Sequence, residues 1–167
     1  MEEEPTDKRR FLPRMILLLA PGPIKYSFVK TGVEYFLKLL SRWVKIKGEF
    51  PRLKGSFPNK ESRLLAEENL LSKFIPQEAF LVILDEQGQS LDTQGFSLLL
   101  KELLLQRKTI VFLIGGPEGI STSLKKKATL TLKLSDLTLN HEIALLILAE
   151  ALFRAISLLK GHPYHRN

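Results

Sequence analysis

Apolar residues recur along this chain in two alternating rhythms. Three short unbroken runs, "RMILLLA" at 14–20, "AFLVILD" at 79–85 and "TIVFLIGG" at 109–116, read as strands buried on both faces. The first is closed by Pro21-Gly22-Pro23, the second by a turn through Gly88, the third by two glycines. Between them the spacing lengthens to that of helices. Val29, Val33, Phe36, Leu37 and Leu40 form one stripe, and Phe96, Leu99, Leu100 and Leu103 form another, preceded by Asp92 or Thr93 as cap. Residues 61–74 read as a helix with a mixed face, a short helix starts at about Ser121, and 141–159 is the last helix. Two further segments have period two. In "WVKIKGEF" (43–50) Val44 and Ile46 share a face, with Lys45 and Lys47 at the alternate positions. In "TLTLKL" (129–134) Leu130, Leu132 and Leu134 do so.

Strands that alternate with helices and are themselves continuously apolar predict an α/β fold, an open parallel sheet with helices on both faces. Ligands of such sheets bind beyond the carboxyl ends of the strands. Three loops leave those ends, "LDEQG" (84–88), "GGPEG" (115–119) and "SDLTLN" (135–140), and one ligand would be held by all three. Residues 1–13 read as a flexible N-terminal extension and 14–167 as a single domain, without internal repeats.

Composition narrows the chemistry. The 167 residues are 44% hydrophobic and 26% charged, which is globular rather than disordered. The formal net charge of +7 favours a polyanionic partner such as RNA or an acidic membrane surface. With no cysteine, disulfides, thiolate metal sites and cysteine nucleophiles are excluded, and a cytoplasmic setting fits. The three histidines lack metal-ligand spacing, so no metal is expected. Met15 to Ala20 is too short for a membrane span, and Glu150 and Arg154, one helical turn apart, interrupt the apolar stretch from Ile143 to Leu159.

Several motifs carry two readings each. "IGGPEGI" is either a tight strand-to-helix turn or a loop whose backbone approaches a ligand closely; it is no P-loop. In "LSDLTLN", Ser135, Asp136 and Thr138 either cap the last helix, which spacing favours, or belong to a loop that hydrogen-bonds an adenine edge and a ribose. Arg42, Lys45, Lys47, Arg52, Lys54 and Lys125-Lys126-Lys127 are either a solvated basic face or phosphate contacts. Glu150 and Arg154 are either a structural pair or a device that orients a catalytic group. Least expected at a chain end is "HPYHR", 162–166, with two of the three histidines beside a tyrosine and an arginine.

In this order and spacing, "VILDEQGQSLDTQGF", "FLIGGPEGIS", "LSDLTLNHE", "AEALFRA" and "HPYHR" resemble the SPOUT-class methyltransferases of the ribosomal RNA large subunit methyltransferase H type. The likeness runs from about residue 79 to the end and more weakly over 14–41, where "TGVEYFLKL" matches the family's first helix. It implies a deep C-terminal trefoil knot over about 109–167, a homodimer, and S-adenosyl-L-methionine as cofactor. It also implies methylation of N3 of a pseudouridine in 23S rRNA, on the large subunit or the 70S ribosome. Carried over by matching positions, Leu84, Gly115, Leu134, Ser135, Asp136, Leu137, Thr138 and Leu139 would hold the cofactor. His165 would act as base, Tyr164 would stack or orient the substrate base, and Arg154 and Arg166 would steady phosphate or the imide anion. The chain departs from the family's pattern where Leu145 replaces a basic residue, Phe153 a tyrosine and Asn140 a proline, and where Ala-Pro-Gly-Pro ends the first strand. The Leu145 exchange is expected to remove a charge near the site or interface. The competing expectations are the same fold acting on another RNA, and a non-catalytic ribosome-binding or assembly factor.

Overall fold

The computed structural model describes residues 15–106 and 108–166. The extension expected over 1–13 lies outside the described residues. Among the described residues five strands and five helices alternate: β1 (Met15–Leu19), α1 (Ser27–Leu40), β2 (Lys45–Glu49), α2 (Lys60–Ser72), β3 (Phe80–Ser90), α3 (Thr93–Leu105), β4 (Ile110–Ile114), α4 (Thr122–Lys126), β5 (Leu130–Lys133) and α5 (His141–Leu159). The sheet order is β2-β1-β4-β3-β5 and every pairing is parallel.

Side chains alternate across each strand, which explains why the apolar runs are unbroken. Ile16 and Leu18 of β1, Val82 of β3 and Ile110 and Phe112 of β4 face a layer built by α1, α3 and α5. Leu17, Leu19, Leu81, Ile83, Val111 and Leu113 face the opposite layer, with Leu71 of α2 and Leu124 of α4. All five residues of β4 are buried, as expected for the middle strand of a covered sheet. Helix starts are marked by side chains that accept otherwise unpaired amides: Asn59 from Ser62, Asp92 from Gly95, Ser121 from Leu124.

The last helix is the hub of its layer, and no helix among the described residues is long and apolar enough to cross a membrane. Its buried residues include Leu145, Leu148, Leu152, Phe153 and Ile156, and it packs on both α1 and α3. Leu145, 2% exposed, belongs to the core and not to a charged surface, so its exchange for a basic residue is a packing change. Polar groups inside are paired: Ser97 Oγ donates to the Ala155 carbonyl (2.8 Å), and Ser157 Oγ to that of Phe153 (2.6 Å). The buried carboxylate of Glu142 accepts the backbone amides of Lys25 (3.0 Å) and Tyr26 (2.9 Å), pinning the start of α1 to the start of α5.

Two local expectations are corrected. Instead of turning at Gly88, β3 runs on to Ser90, with a register slip in which both Leu84 and Gln89 face Leu132. Glycine permits this because the strand backbone presses on its neighbour there: a Cβ on Gly88 would lie 2.6 Å from the Leu132 carbonyl carbon. Nor do Ser135, Asp136 and Thr138 cap α5. Asn140, next to the first helical residue, accepts from the amides of Glu142 (2.9 Å) and Ile143 (3.4 Å).

Gly88→Ala is therefore expected to force β3 away from β5 and to cost about 1–3 kcal/mol of stability, as overpacking does. Urea denaturation of the wild type and variant measures the loss.

Candidate active site

Residues 84–87, where β3 slips register, and the loops that leave β4 and β5 meet in one cleft of about 740 Å³, within the range of ligand sites. Leu84, Gly115, Leu134, Ser135, Leu137, Thr138 and Leu139 all line it, as the sequence reading placed them. Asp136 does not: its carboxylate turns outward to Lys133 Nζ (2.5 Å), which lowers its pKa. Ser135 Oγ accepts the Leu137 amide (2.9 Å), so this segment is a self-bonded turn that presents backbone and leucine side chains. Leu137 is 76% exposed, an apolar cost that a ligand or second subunit would remove.

The glycine loop is both a tight turn and a cleft wall. The Gly119 amide donates to the Gly116 carbonyl (3.0 Å), and Gly119 has φ 84°, in the left-handed region. A Cβ on Gly115 would sit 2.7 Å from Ile120 and 2.8 Å from Gly119, so glycine is needed for the loop to fold back on itself. Across the cleft Asp85 is held below the ordinary aspartate pKa, chiefly by the Gln87 amide (2.9 Å) and then by Lys125 (3.0 Å).

Sequence reading missed what stands behind this loop. Glu67 and Glu68 of α2 are 6% and 8% exposed. Glu68 Oε2 accepts from Ser121 Oγ (3.0 Å) and Ser123 Oγ (2.6 Å), at the start of α4. The Glu67 carboxylate lies against Gly116, 3.2 Å from where its Cβ would be. Burial raises the pKa of Glu67. Both acids lie on a helix read only as mixed-faced, so no periodic signal marked them.

The tail is ordered on α5. Glu150 Oε1 accepts from Arg154 Nη2 (2.6 Å), Arg154 Nε (3.1 Å) and the Tyr164 hydroxyl (3.0 Å). The guanidinium of Arg154 lies 4.9 Å from the centre of the Tyr164 ring, and its Nη1 is 3.2 Å from His165 Nδ1. The Glu150–Arg154 pair is thus the bracket for Tyr164 and His165. Burial, and then its bond to Glu150, raises the Tyr164 pKa; the Arg154 pKa is raised chiefly by the guanidinium's own bond to Glu150. Arg166 is exposed and stands outside the bonds just described. This cluster does not meet the cleft of its own chain. The cleft takes in His141 and Ala144 at the start of α5, whereas the tail side chains are bonded to Glu150 and Arg154, ~9–15 Å farther along that helix, and none of them lines the cleft. No group of three potential metal-ligating side chains exists among the described residues.

Comparison with known proteins decides the family. Residues 15–165 match the family described as "Predicted SPOUT methyltransferase". This chain belongs to the SPOUT methyltransferase family. Among its relatives, a protein of Dictyoglomus thermophilum named "Ribosomal RNA large subunit methyltransferase H" is 36% identical, over 90% of this chain and 98% of that protein. One of the same name from Desulfotalea psychrophila is 38% identical, over 90% of this chain and 97% of that protein. In solved structures the SPOUT fold of this chain resembles a probable methylase family protein from Haemophilus influenzae Rd KW20, with TM-score 0.54, 13% identity and 94% of this chain and 72% of that one covered. A probable methyltransferase from Bordetella pertussis Tohama I gives TM-score 0.51, 15% identity and coverage of 86% and 96%. In this SPOUT methyltransferase the cleft lies at the carboxyl edge of the parallel sheet.

Removing the Glu68 carboxylate leaves two serine hydroxyls without their charged acceptor. Glu68→Ala is expected to cost about 1.5–3 kcal/mol. It should also speed amide exchange over 115–124, with Glu68→Gln retaining part of the protection. Glu67 is expected to act in the opposite sense. Its native pKa is raised above the ordinary 4.5, so its contribution is greatest below that value and falls as pH rises through the native value. Glu67→Gln should raise the melting temperature at neutral pH and leave it nearly unchanged in acid.

Proposed function

We propose that this chain methylates N3 of a pseudouridine in 23S rRNA, on the large subunit or assembled 70S ribosome, with S-adenosyl-L-methionine as donor. The observation that carries the reading is the convergence of the β3 irregularity at 84–87 and the loops after β4 and β5 on one cleft, in a SPOUT chain whose tail is a fixed polar cluster. The relatives' printed name supports the ribosomal target. The cytoplasm follows as the setting from that target, and the deep trefoil knot over about 109–167 belongs to the same proposal.

The cleft suits the donor in size and lining. Leu84, Leu134, Leu137 and Leu139 offer apolar contact, the backbone of 134–139 offers amide and carbonyl groups to an adenine edge and ribose, and Gly115 admits close approach. When bound, S-adenosyl-L-methionine supplies a methyl group on a sulfonium, so the attacking nitrogen displaces a neutral thioether. Positioning then supplies much of the rate.

The tail's part follows from its hydrogen bonds. Arginine only donates, so the Arg154 Nη1 contact has His165 Nδ1 accepting, the tautomer with its hydrogen on Nε2. In that tautomer Nε2–H is a donor, a second role for His165 beside that of the base that the sequence reading gave it. That donor suits a uracil carbonyl, which carries part of the imide anion's charge after the N3 proton has passed to water and before N3 takes the methyl group. Tyr164 orients the base, Arg154 holds the imidazole, and Arg166 holds a phosphate. Because no tail residue lines the cleft of its own chain, the working unit is a homodimer in which the partner subunit's tail closes each cleft.

Three measurements test this. Calorimetry should show donor binding by the wild type, and its absence at millimolar ligand would leave the assembly-factor reading. His165→Ala, or truncation after Gly161, is expected to cut methyl transfer to ribosomes by ~10²–10³-fold with donor affinity changed far less. Mixing a tail-truncated subunit with one carrying Gly115→Val should restore partial activity in the heterodimer; no restoration would exclude tail donation between subunits.

A further inference from the structure

Beside the tail cluster lies a second concavity of about 300 Å³, at the lower end of the range of ligand pockets. Its walls are mostly rings. Trp43 stacks on Phe153, with centroids 5.7 Å apart and planes 8° apart. His162 meets Trp43 edge-on at 5.4 Å, and Tyr164 meets Phe153 edge-on at 4.6 Å. These contacts fix the rings in place before anything enters. Tyr35, 59% exposed, stands at the opening, and Arg42, also exposed, supplies a permanent cation. No carboxylate appears in the lining among the described residues.

Flat apolar walls with one guanidinium and no acid match the two halves of an unpaired nucleotide. Its base stacks on aromatic rings, and its phosphate accepts from arginine. A net charge of +7 favours the same polyanion. We infer that this aromatic box is a docking site for an unpaired nucleotide of the RNA substrate, with the base among Tyr35, Trp43 and His162 and the phosphate on Arg42. The inference rests on the RNA reading above and adds a place where that RNA is gripped. Tyr164 joins the two sites: its ring is a wall of the box and its hydroxyl is bonded to Glu150. A nucleotide in the box would therefore set the position of its neighbours against the tail.

The chain supplies its own reporter, because Trp43 is its only tryptophan. A fluorescein-labelled oligouridylate is titrated against the full-length protein, with anisotropy reporting binding anywhere and Trp43 emission reporting the box. Saturable quenching of Trp43 that coincides with the anisotropy curve is expected. Tyr35→Ala should weaken it about tenfold, the scale of one lost stacking partner. Arg42→Gln should lower the slope of log affinity against log salt by about 1. Both side chains are exposed, so neither exchange threatens folding. Binding seen by anisotropy with Trp43 emission unchanged would overturn the inference, as would no binding, or variant curves that superimpose on the wild type. Emission that depends on protein concentration alone, with no further response to RNA, would assign the box to a second copy of this chain. None of these readings requires methyl transfer, so failure here is distinguishable from failure of the enzymatic reading.

Discussion

A parallel sheet whose two faces are both buried leaves only its strand ends for polar chemistry. That constraint orders this molecule. β4 lies wholly inside, the helices α1, α3 and α5 close one face, and α2 and α4 close the other. Backbone amides and carbonyls at the carboxyl ends of β3, β4 and β5 are then the groups left to meet a ligand, and the loops there converge. The glycines at 88 and 115 matter because two backbones must approach more closely than a Cβ permits.

Burial of α5 imposes the second part of the design. A helix so apolar has few polar atoms of its own, and the two charged side chains in its second half, Glu150 and Arg154, are spent on each other and on the tail. One carboxylate oxygen gathers three donors, so Tyr164 and the guanidinium are fixed together, and His165 is fixed through Arg154. The same helix holds the start of α1 through Glu142 at its other end. It is at once the core's hub and the rod that separates cleft from tail, which is why a single chain does not bring the two together.

The elements were largely legible because burial imposes a period. α5 matches the segment read as 141–159, and the two other helical stripes and three apolar runs fall where spacing put them. Family motifs added the cleft residues, of which Asp136 alone turns away, drawn out by Lys133. What failed has no period. Gly88 sits in a strand that slips register instead of turning, and Asn140 took the cap that Ser135, Asp136 and Thr138 seemed to offer. Glu67 and Glu68 lie on a helix with a mixed face, yet they back the glycine loop from 47 residues or more upstream of it.

The sequence by itself determined the alternation of strands and helices, the glycine turn and the family, since each depends on residues near one another along the chain. Only the tertiary structure decided that Glu68 meets Ser121 and Ser123, that Arg154 meets His165, and that Trp43 joins Tyr164 and His162 in one box. Those contacts join residues far apart in number, or depend on which way a side chain points. Both are set by how the layers pack and not by any local pattern.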